Sequence, residues 1–181
     1  MDKQLPYKFK SKKGNDVVFR YPTMEDLDAV LDFANRLIDE DTFIELSGRH
    51  KSRDEQKKWL SDILEQIKKG EKVHIAVSVN GVYAGNGEVR IGKLRKQHVG
   101  ELGIVLAKEF RDEGIGTVLL KTLLDEARTM GLTLVTLNCF ENNTRACHVY
   151  EKLGFQRAGV IPNAIKWKDG YVGEVKFYLP L

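Results

Sequence analysis

The sequence predicts a mixed α/β protein built on a mostly antiparallel sheet. Segments of strand character outnumber segments of helical period. Two strand pairs are joined through tight-turn sequences, Lys13-Gly14-Asn15-Asp16 and Asn80-Gly81, so hairpins dominate the connections. A single strand–helix–strand run at 99–140 supplies the linker that a parallel crossover needs.

The elements follow in order. YKFK at 7–10 and VVFRY at 17–21 form the first hairpin. Thr23 stands where a helix N-cap is expected, with acids in the next turn. Leu27, Val30, Leu31, Ala34, Leu37 and Ile38 then recur at helical spacing, which predicts a helix over about 24–40. DTFIELSGRHKS at 41–52 reads as a loop with a short helical turn. A second helix is expected from about 53 to 69, burying Trp59, Leu60, Ile63, Leu64 and Ile67 and ending at Gly70. Val73–Val79 and Val82–Ile91 form the second hairpin, and Val99–Leu106 is the next strand. Ile115–Met130 carries Val118, Leu119, Leu120, Leu123, Leu124 and Ala127 at helical spacing, with Gly131 as its C′ residue. Leu132–Phe140 is β-rich, Asn143–Leu153 is a short helix closed by Gly154, and Phe155–Ile161 and Tyr171–Leu179 are the last strands. No repeat, low-complexity tract or linker divides residues 1–181, so a single domain is expected.

Composition excludes several classes. Hydrophobic residues make up 42% and charged residues 30%, ordinary for a globular protein. A net charge of +3 is too small to argue for nucleic acid. Lys3, Lys8, Lys10, Lys12 and Lys13 cluster near the start, either to attract an acidic partner or to protect a solvated edge hairpin from further strand pairing. Cys139 and Cys147 form neither a C-x-x-C pair nor part of a metal-ligand cluster, so no metal is expected. The start lacks the apolar core of a signal peptide, and no apolar run is long enough to span a bilayer. A cytoplasmic protein without a membrane partner is therefore expected.

The chemistry concentrates in VGELGIVLAKEFRDEGIGT at 99–117. A strand runs into Arg111-Asp-Glu-Gly114-Ile-Gly116-Thr117, and a helix follows at once. That layout presents free backbone N–H groups at the positive end of a helix dipole, a site for phosphate. Gly114 and Gly116, lacking Cβ, allow a ligand close to the backbone. Two other phosphate loops fit poorly. The P-loop needs a lysine that is absent, and the dinucleotide fingerprint needs a third glycine where Leu119 stands.

R-x-x-G-x-G at Arg111, Gly114 and Gly116 resembles the coenzyme A pyrophosphate loop of the GNAT acetyltransferase superfamily. ENNTRACHVYEKLGF at 141–155 is similar to the second half of that superfamily's cofactor site, through Asn143, Ala146, Tyr150, Gly154 and Phe155. The two motifs cover most of 99–155, and the order of elements extends the likeness over nearly the whole chain. The resemblance implies a GNAT-like α/β fold: a six- or seven-stranded central sheet flanked by about four helices, with a splayed parallel strand pair at the cofactor site. It implies an N-acetyltransferase that uses acetyl-CoA as co-substrate and passes its acetyl group to an amine by direct attack in a ternary complex. A noncatalytic acyl-CoA-binding module is the alternative. Dimers are common among similar proteins, so a homodimer stays open.

Carried onto this sequence, the resemblance makes Ile104, Val105 and Leu106 the strand that pairs with the pantetheine arm. The Leu106 N–H would polarise the thioester carbonyl. Asp112, Glu113, Gly114, Ile115, Gly116 and Thr117 would supply N–H groups around the pyrophosphate, with Arg111 adding charge. The Asp112 and Glu113 side chains are expected to point to solvent. Asn143 would contact the cofactor and serve as an N-cap at once. Tyr150 is the candidate general acid. A phenol of pKa about 10 facing a thiol of about 8.5 transfers its proton uphill by roughly 2 kcal/mol, so a hydrogen bond to the thiolate is its natural contribution. Glu101 is the candidate general base, with Glu88 in reserve. His98 is expected at a rim. Cys147 and His148, adjacent on a helix, point about 100° apart and do not read as a nucleophile and its base.

The resemblance also places the acceptor, a small-molecule amine or a peptide or protein amine, between residues 38–52 and 161–173. Asp39, Glu40, Asp41 and Glu45 near Phe43 either attract a cation or form a solvated helix end, and Trp167 and Tyr171 either line the other side or pack the final hairpin.

Overall fold

The strand and helix segments assemble around one eight-stranded sheet, as seen in a computed structural model that describes residues 5–181. Lys3 of the basic N-terminal group lies outside the described residues. In chain order the elements are β1 (Tyr7–Lys10), β2 (Asp16–Arg20), α1 (Leu27–Glu40), α2 (Arg53–Lys68), β3 (Lys72–Val79), β4 (Val82–Ile91), β5 (Val99–Leu106), α3 (Ile115–Thr129), β6 (Leu134–Phe140), α4 (Thr144–Lys152), β7 (Gln156–Trp167) and β8 (Gly170–Pro180). The strand order is β1-β2-β3-β4-β5-β6-β8-β7. All pairs are antiparallel except β5 with β6. The sheet thus holds one strand more than the seven expected at most, because every strand-like segment of the sequence pairs, the short N-terminal hairpin included.

Period-two alternation assigns the two faces of the sheet. On one face Val17, Phe19, Ile75, Val77, Val89, Val135 and Phe177 pack against Leu119, Leu120 and Leu123 of α3 and Cys147 and Tyr150 of α4. Each fully buried leucine there contributes about 2–3 kcal/mol of hydrophobic stabilisation. On the other face Val30, Phe33 and Leu37 of α1 cover Ala76, Tyr83 and Ala107.

Three local expectations change. Residues 41–52 form no helix; α1 ends at Asp41 in the left-handed region (φ 47°). Trp59 is 39% exposed, set edge-on to His74 at 5.7 Å, while Gln56 takes a buried place on α2. β7 runs on to Trp167 through Pro162, with an irregular register between Ile161 and Ile165. β7 is the edge strand, where a proline need not cost a ladder hydrogen bond.

The feature that positions the site is the parting of β5 and β6. They pair only at Val99–Leu134, Gly100–Val135 and Glu101–Thr136. Beyond Glu101 the two strands separate. Gly100 lets them meet at the closed end, since a Cβ there would lie 2.8 Å from side-chain atoms of both Leu132 and Val89. β4 is bulged at Ala84, between the Val77–Gly85 and Ser78–Tyr83 pairs, and such a bulge adds bend and twist. Gly85 is required next to it, because a Cβ there would sit 2.3 Å from the Val105 carbonyl oxygen.

Candidate active site

The parted strands open a cleft of about 840 Å³. β5 forms one wall, through Leu102 to Leu106. β6 and α4 form the other, through Asn138, Cys139, Phe140, Asn143, Ala146 and Tyr150. The loop Arg111–Thr117 closes one end.

Backbone alternation along β5 determines what faces the opening. The Val99 carbonyl accepts from Gly92 N–H and Ala107 N–H donates to Ala84, both towards β4. The Gly100 carbonyl accepts from Thr136 Oγ1 on β6. Even-numbered residues therefore turn their N–H and C=O groups away from β4, and past the last pairing with β6, at Glu101–Thr136, those of Ile104 and Leu106 face the cleft. The Leu106 carbonyl is already held by Arg111 Nε at 3.0 Å.

The glycine loop has the geometry of an anion site. Gly114 is the N-cap of α3 at φ 80°, a conformation that costs glycine little. The first N–H groups of α3 lack intrahelical partners. Gly116 lines the cleft, and a Cβ there would touch Leu106 and Ile104 at an ordinary 3.5–3.7 Å. The protein itself thus tolerates a methyl at 116, and the space a larger side chain would take belongs to the cleft.

Two loop side chains depart from expectation. Glu113 does not point to solvent; its side chain is 2% exposed. Its carboxylate accepts from Ser11 Oγ at 2.6 Å and Asn15 Nδ2 at 2.7 Å, with Lys13 Nζ 3.5 Å away. The Ser11 and Asn15 hydrogen bonds, helped by Lys13, hold its pKa below the usual range. Arg111 does not offer a free charge to the loop. Its guanidinium is bidentate on Glu40 at the end of α1. Ile115 points into the core rather than the cleft. Asp112, in the left-handed region at φ 67°, pairs with Arg145 of α4 at 2.6 Å. The cations that sequence reasoning missed are therefore Arg145 and Lys12, both lining the cleft.

Asn143 lines the cleft and caps α4, its side-chain oxygen accepting from Ala146 N–H at 3.2 Å. Tyr150 lies on the same helix, ring against Phe155 and Phe177, with no hydrogen-bond partner for its hydroxyl among the described residues. Burial pushes its phenol well above the usual range, so it stays protonated and keeps an O–H to donate. Cys139 and Cys147 are buried with their sulfurs 3.7 Å apart, and burial with the neighbouring thiol raises Cys139 strongly. Cys147 faces the core while His148 is exposed, so the two form no dyad.

Glu101 does not line the cleft. It sits at the closed end of the parted pair, held by Arg90 at 2.7 Å. Glu88 lies between Lys72 Nζ (2.9 Å) and His74 Nδ1 (3.1 Å). Burial alone would raise its pKa, but the His74 hydrogen bond and the Lys72 charge hold it at about 2, which makes it a poor base. Because that pKa lies below the ordinary 4.5, the cluster stabilises the fold above about 4.5 and stops doing so as pH falls towards about 2. Glu88→Gln should flatten this acid limb in a melting-temperature series over that range. Parallel limbs in variant and wild type would show that the cluster carries no such linkage.

A side pocket of about 400 Å³ adjoins the cleft and shares Ile44, Glu45, Phe140, Ile165 and Glu174 with it. Asp41, Glu45 and Glu174 supply its acids. Phe43, Phe140 and Trp167 pack together at its edge, with Phe43 and Trp167 centroids 4.8 Å apart. The buried Trp167 Nε1–H lacks a partner among the described residues. Asp39 and Glu40 are diverted to His50 and Arg111, and Tyr171 is 66% exposed on the hairpin tip, outside both cavities. His98 lies at the start of β5 and takes part through its carbonyl, which accepts from Thr133 and Leu134. Glu174, missed in the sequence because only β8–β6 pairing brings it beside Phe140, is 14% exposed and pairs with Lys176 at 2.7 Å.

Comparison with known proteins agrees with this geometry. The acetyltransferase (GNAT) family model matches residues 34–155. A [ribosomal protein bS18]-alanine N-acetyltransferase of Salmonella typhimurium is 31% identical over 78 residues, which cover 43% of this chain and 53% of that protein. Its Escherichia coli K12 counterpart is 30% identical over the same length. The chain thus spans about half the length of the curated relatives it matches. Among solved structures, a GNAT-family acetyltransferase from Streptococcus pneumoniae superposes with a TM-score of 0.82 at 24% identity, covering 91% of this chain and 99% of that one. The Salmonella typhimurium protein yncA, solved with acetyl-CoA, gives 0.78 at 18% identity over 91% and 94%. With the parted β5–β6 pair, the glycine loop and the family match over 34–155 in agreement, the chain belongs to the GNAT acetyltransferase family.

Proposed function

We propose that this protein is an N-acetyltransferase that moves the acetyl group of acetyl-CoA to a primary amine by direct attack in a ternary complex. The observation that carries the reading is one continuous cleft joining the open edge of β5, the glycine loop and the unpartnered Tyr150 hydroxyl. Acetyl-CoA supplies an activated thioester. The open N–H and C=O groups of Ile104 suit the amide-rich arm of that carrier, and the first turn of α3 suits its pyrophosphate. The Leu106 N–H stabilises the oxyanion as the amine nitrogen bonds to the carbonyl carbon. The carbon–sulfur bond then breaks, and the Tyr150 O–H donates a hydrogen bond to the departing thiolate. Glu174, at the junction of the two cavities, takes the place first given to Glu101 and receives the amine proton.

The side pocket's acids, Asp41, Glu45 and Glu174, outweigh its one lysine, Lys166, and favour a cationic acceptor. The curated relatives are named for acetylation of a ribosomal-protein alanine, and that supports a protein N-terminal amine. The chemistry agrees: an α-amine of pKa about 7.8 is roughly 15% neutral at pH 7, against about 0.04% for a lysine-like amine of 10.4, so a weak base suffices. We read residues 1–181 as one domain acting in the cytoplasm, where such an acceptor occurs. No helix among the described residues is long and apolar enough to cross a membrane.

The test is thiol release across an amine panel that includes peptide N-termini, run on wild type, Glu174→Gln and Glu101→Gln. Amine-dependent release is expected, reduced about tenfold or more by Glu174→Gln and little by Glu101→Gln. Cofactor binding with no amine-dependent release would favour the noncatalytic acyl-CoA-binding module. The reverse ranking of the two variants would restore Glu101 as the base.

A further inference from the structure

The β1–β2 turn lies directly against the glycine loop. Ser11 and Asn15 donate to one Glu113 carboxylate oxygen, Lys13 approaches the other, and Lys12 N–H donates to the Glu113 carbonyl at 3.0 Å. These contacts fix the turn relative to the first turn of α3. They also place the Lys12 side chain over Gly114: a Cβ built at Gly114 would meet three Lys12 side-chain carbons at 3.2–3.4 Å.

Three cations line the cleft. Arg111 is held by Glu40 and Arg145 by Asp112. Lys12 has no carboxylate partner among the described residues. Its neighbours on the same hairpin differ, with Lys10 paired to Asp16 and Lys13 to Glu113. The one unneutralised ammonium at the cleft thus stands beside backbone N–H groups that also lack partners. An anion there would satisfy both.

We propose that Lys12 pairs with a phosphate group of the acyl carrier, so that the N-terminal hairpin forms a further wall of the cofactor site. This rests on the coenzyme A reading above. The carrier has two kinds of phosphate within reach of such a residue, the pyrophosphate and the 3′-phosphate, and the experiment separates them. Titration calorimetry at low ionic strength compares coenzyme A with 3′-dephospho-coenzyme A on wild type, Lys12→Met and Lys8→Met. Methionine keeps an unbranched stem over Gly114 and removes the charge. Lys8 is an exposed lysine of the same hairpin and controls for the general field.

Lys12→Met should weaken coenzyme A binding about tenfold, the loss of one charge-assisted hydrogen bond. If only coenzyme A weakens, Lys12 contacts the 3′-phosphate. If both carriers weaken equally, it contacts the pyrophosphate. Either result supports the proposal. Wild-type affinity in Lys12→Met, or an equal loss in Lys8→Met, overturns it. No heat from wild type with either carrier would instead remove the coenzyme A reading itself, a distinct failure.

Discussion

Tyr150→Phe should lower turnover roughly a hundredfold, the lower end of what a positioned acid or donor contributes, while acetyl-CoA affinity changes little. The ring is held by Phe155 and Phe177 at centroid distances of 6.0 and 5.7 Å, and phenylalanine preserves both contacts. The substitution therefore removes one hydroxyl and little else. That hydroxyl has no partner among the described residues, so nothing in the protein is left unsatisfied by its loss. Burial raises the phenol further above the roughly 8.5 of a thiol, so a completed proton transfer becomes still less favourable. The expected contribution is a hydrogen bond that strengthens as negative charge develops on sulfur, which lowers the barrier without tightening ground-state binding. Steady-state kinetics with calorimetry on the same preparations provide the check. Unchanged turnover would take Tyr150 out of the reaction.

Gly116→Val should give the opposite signature, a folded protein whose acetyl-CoA affinity falls by roughly a hundredfold. A Cβ at this position meets Leu106 and Ile104 at 3.5–3.7 Å, ordinary contact that the core accommodates. The γ-methyls have no such allowance and project into the space where a pyrophosphate would approach the first N–H groups of α3. Displacing the anion from two of those groups removes two charge-assisted hydrogen bonds, each worth about 1.5–3 kcal/mol, and the lower end of that range sets the expected loss. Circular dichroism and a melting curve would establish that the variant folds, and calorimetry would measure the loss. A folded variant with wild-type affinity would mean that the phosphates lie elsewhere.

The two variants separate docking from chemistry along the cleft. In the proposed reaction Gly116 belongs to the end that holds the carrier, and Tyr150 to the point where its sulfur departs. A protein that only held acyl-CoA would show the Gly116 effect and have no turnover for Tyr150 to alter.

The local elements were legible because they rest on short-range physics. The 3.6-residue period of Leu119, Leu120, Leu123 and Ala127 marks a buried helical face wherever that helix packs. Asn80-Gly81 makes a hairpin because both residues adopt positive φ, at 50° and 81°. The glycine loop was legible for the same reason, since the strand, the turn and the helix N-terminus lie within a single run of chain. Tyr150, Asn143 and β5 likewise reach the cleft from positions that the two motifs had marked.

Charge partners were not legible in this way. Arg111 was expected to serve the phosphate loop, but Glu40 lies 71 residues away in sequence and takes its guanidinium. Glu113 was expected in solvent, but Ser11 comes from 102 residues upstream to bury it. Glu101 lies on the strand that lines the cleft, yet it sits at the closed end of the parted pair, where Arg90 holds it. Glu174 and Lys12, which belong to no motif, reach the cavities only because β8 lies beside β6 and the first hairpin folds onto α3.

The order of residues along the chain determined the elements, the hairpins and the phosphate-type loop, since each depends on backbone preference and apolar period over a few neighbouring positions. The tertiary structure alone decided which carboxylate neutralises which cation, and so which charges remain free to meet a substrate. Ion pairing falls steeply with distance and burial, and those distances exist only after segments far apart in sequence have been packed side by side.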